Sequence, residues 1–406
     1  MLTGIKSKLP TLKNVSSDFV LNLLATFIST GVMQLVLYPQ LALHMDDEHY
    51  GGMLTAMGVV NVLALSFGNN LCNARIVLNE KYKKDAVVGD FQLLSLFSVI
   101  MTAAVIFLSD LYFKWPGYIL IGIAILASLT VYKSYYLVTY RLSLDFKKNL
   151  YANIVMAAVY VLGAFVLIRY MPWPFVFALP CLCCLVYIGL SSDILKEPFR
   201  RTERFKDSTK VVTLLILSGI IGNLTMYLDR FIVYPILGGS SVSYYTIAAF
   251  FSKSLSMVLL PMTAVLLSYI ASEKIQVSGK RFLYINLALL LLSGLFLVLT
   301  ITAGYYITAF LYPSLIDASK KYLLLASVGI IIGIAGSFNG VVVLAKAPSY
   351  WQLVLSAMKF VIYLVTCTLL VKMNGLYGLC LGVILTNFIG FGANFLVGNH
   401  YLKKAI

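Results

Sequence analysis

The chain has 406 residues, 60% of them hydrophobic and only 12% charged, and its mean hydropathy is +0.91. Soluble domains contain about 25% charged residues, so this composition excludes a soluble globular protein and indicates a polytopic membrane protein. The net charge of +15 on its own would suggest a nucleic-acid partner, but the positions of the basic residues explain it without one.

Apolar segments long enough to span a membrane follow one another along the whole chain. A helix needs about 20 apolar residues to cross the hydrocarbon core of a bilayer. Each segment is predicted to be a helix, because an isolated strand leaves its backbone polar groups unsatisfied in lipid. The twelve predicted spans are 18–38, 50–72, 90–109, 117–138, 150–170, 173–192, 211–236, 243–270, 282–311, 321–346, 351–372 and 375–398.

The Lys and Arg residues predict how these spans are oriented. With a cytoplasmic N-terminus, 22 of the 31 Lys and Arg residues fall on the cytoplasmic side, five on the opposite side and four within spans. The positive-inside rule therefore places both termini in the cytoplasm. The longest loop is basic and follows the sixth span. It divides the chain into an N-terminal lobe at 1–192, a basic cytoplasmic linker at 193–210 and a C-terminal lobe at 211–406.

The two halves show a weak internal similarity. The first span ends with Tyr38-Pro39 and the seventh with Tyr234-Pro235, and an aromatic residue opens the next span at a similar distance after each proline. Six spans per half give both halves the same orientation, as in parallel repeats. We therefore expect an all-α fold of twelve transmembrane helices, in two six-helix lobes related by pseudo-two-fold symmetry about the membrane normal.

Five charged residues inside the predicted spans are the main candidates for function: Lys133, Asp229, Arg230, Lys253 and Lys359. A charge at the centre of a bilayer costs about 2.5–3.5 kcal/mol on insertion scales, so such residues are seldom retained without a role. Four cations against one anion favour a water-filled cavity for an anionic passenger. Two alternatives stay open: Asp229 forms a structural ion pair, with Lys253 as its partner, or Arg230 and Lys133 reach the membrane interface.

Other polar residues allow more than one interpretation. Arg75, just beyond the second span, is grouped with the cavity cations, whereas Asp18 at the start of the first span is either a helix cap or a coupling-ion site. The acidic segment 44–49 is expected to be a solvated loop rather than a metal site. Asparagines within spans either join helices or bind sugars, and helix contacts are favoured. The sequence contains no catalytic triad, HExxH motif or phosphate-binding loop, so we do not expect an enzyme.

The region of the seventh and eighth spans resembles a known family. Asp229-Arg230 is followed by apolar residues and then by a glycine-containing turn and aromatic opening at 237–248 (LGGSSVSYYTIA). This pattern resembles that of Wzx-type polysaccharide flippases, in the multidrug/oligosaccharidyl-lipid/polysaccharide exporter (MOP) superfamily. Tyr50-Gly51, which opens the second span, and 375–379 (GLYGL), which opens the twelfth, are also similar to that family. Ser243 stands where the family usually has glycine.

The resemblance implies a bacterial inner-membrane protein that moves an undecaprenyl-pyrophosphate-linked repeat unit from the cytoplasmic to the periplasmic leaflet by alternating access. The repeat unit would then enter O-antigen or capsule assembly. Membrane lipids, a polysaccharide polymerase and a chain-length regulator are the implied partners. No cofactor is expected, although a proton or sodium gradient is a conceivable energy source, with Asp229 or Asp18 as the titrating group. The family's cavity is cationic, which agrees with the candidate set Lys133, Arg230, Lys253, Lys359 and Arg75.

Two other functions compete with this expectation. A multidrug or small-molecule antiporter of the same superfamily would need embedded acids to bind cationic drugs, whereas cations outnumber acids here. An integral-membrane polysaccharide polymerase or glycosyltransferase would carry a large outer loop with catalytic residues, whereas the predicted outer loops are all short.

Overall fold

The computed structural model of the protein describes residues 27–85, 89–271, 279–348 and 350–404, together with Leu21, Leu24 and Ala25. All regular secondary structure within these ranges is helical. The all-α class predicted from the sequence is therefore confirmed. The first predicted span, 18–38, is described only in part, and Asp18 lies outside the described residues.

The helices are numbered here in chain order. Three π-helical segments, Met33–Leu37, Ala64–Asn69 and Thr300–Gly304, continue directly into a neighbouring α-helix. The α-helices are α1 Tyr38–His44, α2 Asp47–Leu63, α3 Asn70–Asp85, α4 Asp90–Phe113, α5 Gly117–Tyr136, α6 Val138–Leu142, α7 Phe146–Phe165, α8 Trp173–Ser191, α9 Phe205–Thr225, α10 Leu228–Ala248, α11 Phe250–Ala271, α12 Gly279–Leu299, α13 Tyr305–Leu311, α14 Ile316–Lys346 and α15 Tyr350–Lys404.

Nine helical stretches of the described chain are long and apolar enough to cross a membrane. Their limits match the sequence prediction well in the first half, because apolar runs there end at Gly, Pro or charged residues. They are Asp47–Asn79, Asp90–Phe113, Gly117–Leu142, Phe146–Phe165, Trp173–Ser191, Phe205–Thr225, Gly279–Leu311, Ile316–Lys346 and Tyr350–Lys403.

The seventh predicted span, 211–236, is not one continuous helix. Helix α9 ends at Thr225 and α10 begins at Leu228, after Tyr227 with φ −122° and ψ 6°. Discontinuous helices of this kind expose backbone polar groups at membrane depth, and in transporters they often border binding sites. The break places Asp229 and Arg230 in the first turn of a new helix.

Two glycine turns separate spans that otherwise form continuous helical elements. Gly238 has φ +81° and interrupts α10, and Gly375 has φ +56° and interrupts α15 next to Asn374. Residues with a Cβ seldom adopt such φ values, whereas glycine does so without steric cost. These turns coincide with the predicted boundaries between the seventh and eighth spans and between the eleventh and twelfth.

The chain divides into two compact units by its backbone contacts. The first consists of the described residues within Met1–Leu41 and Val60–Gly219. In this unit α5 packs against α4 and α8, and α7 packs against α8. Tyr135 and Phe177 are among its fully buried side chains. The lobe limits predicted from the sequence, 1–192 and 211–406, stay a prediction.

The second unit consists of Ala42–Val59 and the described residues within Ile220–Ile406. Helix α14 packs along α15 and also contacts α10 and α11. Gly329, Gly333 and Gly336 of α14 face α15 so closely that an added Cβ would come within 3.4 Å of it. Small residues at such spacing let membrane helices approach each other, since dispersion contacts replace the hydrophobic effect in lipid.

Candidate functional site

Asp229 lies at the start of α10, where the helix break leaves backbone N–H groups without intrahelical partners. Its Oδ1 accepts a hydrogen bond from the Arg230 backbone N–H at 2.9 Å. A carboxylate in the first helical turn also interacts favourably with the helix dipole. The side chain is almost fully buried, with only 3% of the residue exposed. A buried carboxylate is stable only when nearby cations or hydrogen-bond donors compensate its charge.

The partner of Asp229 is Lys253 of α11. Lys253 Nζ donates to Asp229 Oδ2, and the ammonium also lies 5.4 Å from the centre of the Tyr245 ring. The Lys253 side chain is 33% exposed, so one side of the pair is accessible. The ion pair between Asp229 and Lys253, which was one of the alternatives from the sequence, is therefore present in the structure. Whether Lys253 also contacts a passenger stays a prediction.

Arg230 points away from Asp229 and binds backbone. Its Nη1 donates to the carbonyl oxygen of Leu54 in α2 at 2.7 Å, and its guanidinium lies 5.6 Å from the centre of the Tyr227 ring. The Nε atom is buried without a hydrogen-bond partner among the described residues. This arrangement differs from the expectation of an arginine that reaches the interface, because the side chain is held inside the second unit.

Lys359 lies in the first half of α15, nine residues after its start, which corresponds to a depth of roughly 14 Å along the helix. Its residue is half-buried, and its Cδ lies 3.7 Å from the point that a Cβ on Gly390 would occupy. Within the described part of the chain, Lys359 has neither an ion pair nor a hydrogen bond. The second unit contains three of the predicted cavity cations: Arg230, Lys253 and Lys359. Of these, Lys359 is the one for which the described residues provide no hydrogen bond or ion pair.

Arg75 belongs to the first unit and is tightly coordinated. Its Nη1 donates to the Tyr135 hydroxyl at 2.6 Å, and its Nη2 donates to Glu197 Oε1. The guanidinium carbon lies 5.5 Å from the centre of the Phe91 ring. The carboxylate comes from the 193–210 linker, whose acidic residues the sequence analysis had not singled out. The predicted cavity cation is thus bound to a protein anion in this structure.

Lys133 also belongs to the first unit, near the end of α5. It is half-buried, lies close to Cys184 of α8, and has no ion pair in the described ranges. The neighbouring Tyr135 and Tyr136 are buried, so both side chains are packed inside the unit.

Two acidic residues that the sequence did not indicate as candidates, Asp47 and Glu48, connect the start of the second predicted span to the start of the eighth. Glu48 accepts hydrogen bonds from the backbone N–H groups of Gly239 and Ser240, at 2.7 and 2.8 Å. Asp47 accepts from the hydroxyls of Ser243 and Tyr244, through its carbonyl and its carboxylate respectively, at 2.6 and 2.7 Å. The acidic segment is therefore not only a solvated loop. The Gly-Gly turn of 237–248 was the available signal, because its free N–H groups need an anionic acceptor.

Two of the asparagines within spans join helices, as favoured by the sequence. Asn339 of α14 donates to Asn286 of α12 at 2.7 Å, and Asn387 of α15 donates to the Gly329 carbonyl of α14 at 2.8 Å. These side chains are buried and their donor groups bind protein acceptors, whereas Oδ1 of Asn339 has no hydrogen-bond partner among the described residues.

Comparison with solved structures identifies the fold. An inward-facing multidrug resistance MATE transporter of the MOP superfamily matches with a TM-score of 0.65 and 16% identity, over 95% of each chain. The lipid II flippase MurJ in an inward closed conformation matches with a TM-score of 0.69 and 15% identity, over 95% of this chain and 87% of that one. The chain has the fold of MOP superfamily transporters. The twelve-helix, two-lobe fold class predicted from the sequence is thereby confirmed.

A third solved structure with this fold is described by the polarity of its binding pocket. It is a MOP superfamily transporter from Pyrococcus furiosus, described as having a binding pocket of reverse polarity that suggests a different function. It matches with a TM-score of 0.58 and 14% identity, over 95% of each chain. No protein-family model and no curated protein sequence matches this chain. Similarity of fold alone does not specify a substrate, so the substrate must be inferred from the residues of this chain.

Proposed function

We propose that the protein is a flippase for undecaprenyl-pyrophosphate-linked oligosaccharide repeat units. It would move them from the cytoplasmic to the periplasmic leaflet of the bacterial inner membrane by alternating access, with both termini in the cytoplasm. The flipped units would pass to a polysaccharide polymerase and its chain-length regulator for O-antigen or capsule assembly. Lys359 is the observation that carries this proposal.

Lys359 supports an anionic substrate because its charge is not compensated within the described chain. An embedded ammonium without a carboxylate keeps its charge only if water or an anionic ligand solvates it. The pyrophosphate is the part of the cargo that is most costly to transfer through hydrocarbon. A fixed cation replaces part of its hydration while the polar glycan occupies the same wet cavity and the prenyl tail remains in lipid.

A multidrug or small-molecule antiporter is the first alternative, and the described acids argue against it. Cationic drugs need a free embedded carboxylate, but Asp229 is already paired with Lys253. The other fully buried acid, Asp90, accepts hydrogen bonds from Tyr82 and from the Thr202 backbone, each at 2.6 Å. A polymerase or glycosyltransferase is the second alternative, and the transporter fold argues against it.

Reconstitution into liposomes tests the proposal directly. The probe is a fluorescent polyprenyl-pyrophosphate-linked short glycan, and flipping is measured as the fraction of label that becomes accessible to a membrane-impermeant quencher. We expect the protein to accelerate flipping of this lipid but not of a polyprenyl glycoside that lacks the pyrophosphate. Equal flipping of both lipids, or transport of a cationic dye instead, would contradict the proposal.

Lys359→Ala is the variant that links the activity to its site. Loss of one charged contact to the pyrophosphate should slow flipping about tenfold. Lys372→Ala is the matched control, because Lys372 is an exposed lysine on the same helical element. Flipping that is insensitive to Lys359→Ala would remove the main support for an anionic cargo at this position.

A further inference from the structure

The contact between Arg75 and Glu197 places a carboxylate from the interlobe linker on a cation that the sequence assigned to the cargo. We propose that Glu197 is an internal competitor, which occupies an anion site formed by Arg75 and Tyr135 and is displaced by the diphosphate headgroup of the arriving lipid. This inference rests on the proposed function. It adds to that function a second binding site for the lipid headgroup, within the first unit, which Glu197 occupies until the lipid arrives.

The chemistry of the site suits a phosphate group at least as well as a carboxylate. Arginine presents a planar set of N–H donors that bind carboxylate and phosphate oxygens in the same way. Arg75 is held in place by the Tyr135 hydroxyl and the Phe91 ring, so its donors keep a fixed direction whether or not Glu197 is bound. The Arg75 side chain is still 13% exposed, and an incoming anion can therefore reach it.

Glu197 is an incomplete ligand for this site. Its Oε1 accepts from Arg75, but its Oε2 is buried without a hydrogen-bond partner among the described residues. The lack of a donor for a buried acceptor carries a cost in free energy, because its hydrogen bonds to water are lost. That cost is relieved when the carboxylate leaves for water. A diphosphate therefore competes with a strained occupant and not with an optimal salt bridge.

The linker can release Glu197 without detaching from the unit. On one side, Gln92 Nε2 donates to the Ile194 carbonyl oxygen at 2.5 Å, and the Ile194 side chain is buried. On the other side, the Thr202 N–H donates to Asp90 Oδ1 at 2.6 Å. Glu197 lies between these two anchors, just after the short 3₁₀ turn Ile194–Lys196, with an extended backbone at φ −60° and ψ 138°. Movement of the segment between the anchors is enough to expose Arg75.

A second cation strengthens the site after Glu197 leaves. Arg141 Nη1 donates to the Cys72 sulfur at 3.7 Å, and Cys72 lies one helical turn before Arg75 in α3. Arg141 is exposed and has no acidic partner in the described residues. A diphosphate carries more than one negative charge, so it gains from this pair of arginines more than a single carboxylate does.

Binding of a short polyprenyl pyrophosphate to the purified full-length protein tests the inference. Glu197→Gln keeps the shape of the side chain but removes its charge, so we expect the Kd to tighten about fivefold. Asp193→Asn is the matched control and should leave the Kd unchanged, because Asp193 is a linker carboxylate whose one ion-pair partner among the described residues is the exposed Lys196. Inorganic pyrophosphate, measured in parallel, tells whether the diphosphate alone or the whole lipid is the ligand.

The double variant separates competition from a purely structural role. Arg75→Gln should weaken binding more in the Glu197→Gln background than in the wild type, because Glu197 no longer offsets the arginine. If Glu197→Gln binds the lipid no better than the wild type, or if neither binds it, the competitor role is overturned. Glu197→Asp, with its shorter side chain, provides the same comparison should Glu197→Gln fold poorly. Wild-type flipping that persists alongside unchanged binding would reject this inference and leave the proposed function intact.

Discussion

Lys253 and Lys359 have similar positions in the sequence and opposite situations in the structure. Each lies several residues inside a predicted apolar span of the C-terminal half. In the structure, Lys253 shares its charge with Asp229 and faces the Tyr245 ring, whereas Lys359 has no ionic partner in the described chain. The two lysines therefore differ in how the protein compensates their charge. Lys253 has a carboxylate partner, whereas the described residues provide none for Lys359.

The difference arises from the helix break before Asp229. The pair joins residues 24 positions apart in the chain, and it requires α10 to begin anew at Leu228 and to turn again at Gly238. A straight helix through 211–236 would not place Asp229 in a first helical turn. Helix α10, which carries Asp229, also packs against α15, but the carboxylate is paired with Lys253 and forms no ion pair with Lys359 among the described residues.

The largest expected effect is on the pair itself. Asp229→Asn leaves Lys253 without its counter-charge, and breaking a buried pair on one side costs about 3 kcal/mol of unfolding free energy. Thermal unfolding in detergent measures it. Asp317→Asn is the control, because Asp317 forms an exposed pair with Lys320 that is worth less than about 1 kcal/mol.

A double variant shows whether this loss comes from the unpaired charge. Replacement of both partners, with Asp229→Leu and Lys253→Met, should recover most of the stability because neither charge remains buried alone. A double variant as unstable as Asp229→Asn would mean that Asp229 acts through its cap of α10 and not through Lys253.

The comparison also shows how far the sequence determines the fold. Spans such as 117–138 and 173–192 are close to the observed Gly117–Leu142 and Trp173–Ser191, because hydropathy alone defines a segment that must satisfy its backbone in lipid. The break at 226–227 could not be predicted, since no glycine or proline interrupts the apolar run there. The break results from tertiary contacts, which cannot be predicted from the residue composition of the segment.

The candidate site was predictable in its residue types but not in its pairings. Embedded charge identified Asp229, Arg230, Lys253 and Lys359, and the possibility of a pair between Asp229 and Lys253 followed from their spacing. Glu197 could not be found in this way. It lies in a linker dominated by basic residues, and the net positive charge of that linker gave no indication that one of its few acidic residues had a specific partner. Only the folded chain brings it to Arg75.

Arg230 is expected to show an intermediate effect. Arg230→Lys should lower the unfolding free energy by about 1.5 kcal/mol, because an ammonium cannot keep both the bond to the Leu54 carbonyl and the stacking on Tyr227. Arg169→Lys, at an exposed arginine, serves as the control in the same unfolding assay. No difference between the two variants would show that the Leu54 bond and the Tyr227 contact contribute little to stability.

The smallest expected change in unfolding free energy is at Lys359. The direction of this change distinguishes Lys359 from Lys253. Lys359→Met removes an uncompensated cation and keeps the apolar stem that packs near Gly390, so the unfolding free energy should stay the same or rise by up to about 1 kcal/mol. Lys253→Met should lower it, because Asp229 then remains buried without a cation. Opposite signs in one unfolding assay would establish that only Lys253 is structural. Equal destabilisation by both substitutions would instead mean that Lys359 has a protein partner and is not free for an anionic cargo.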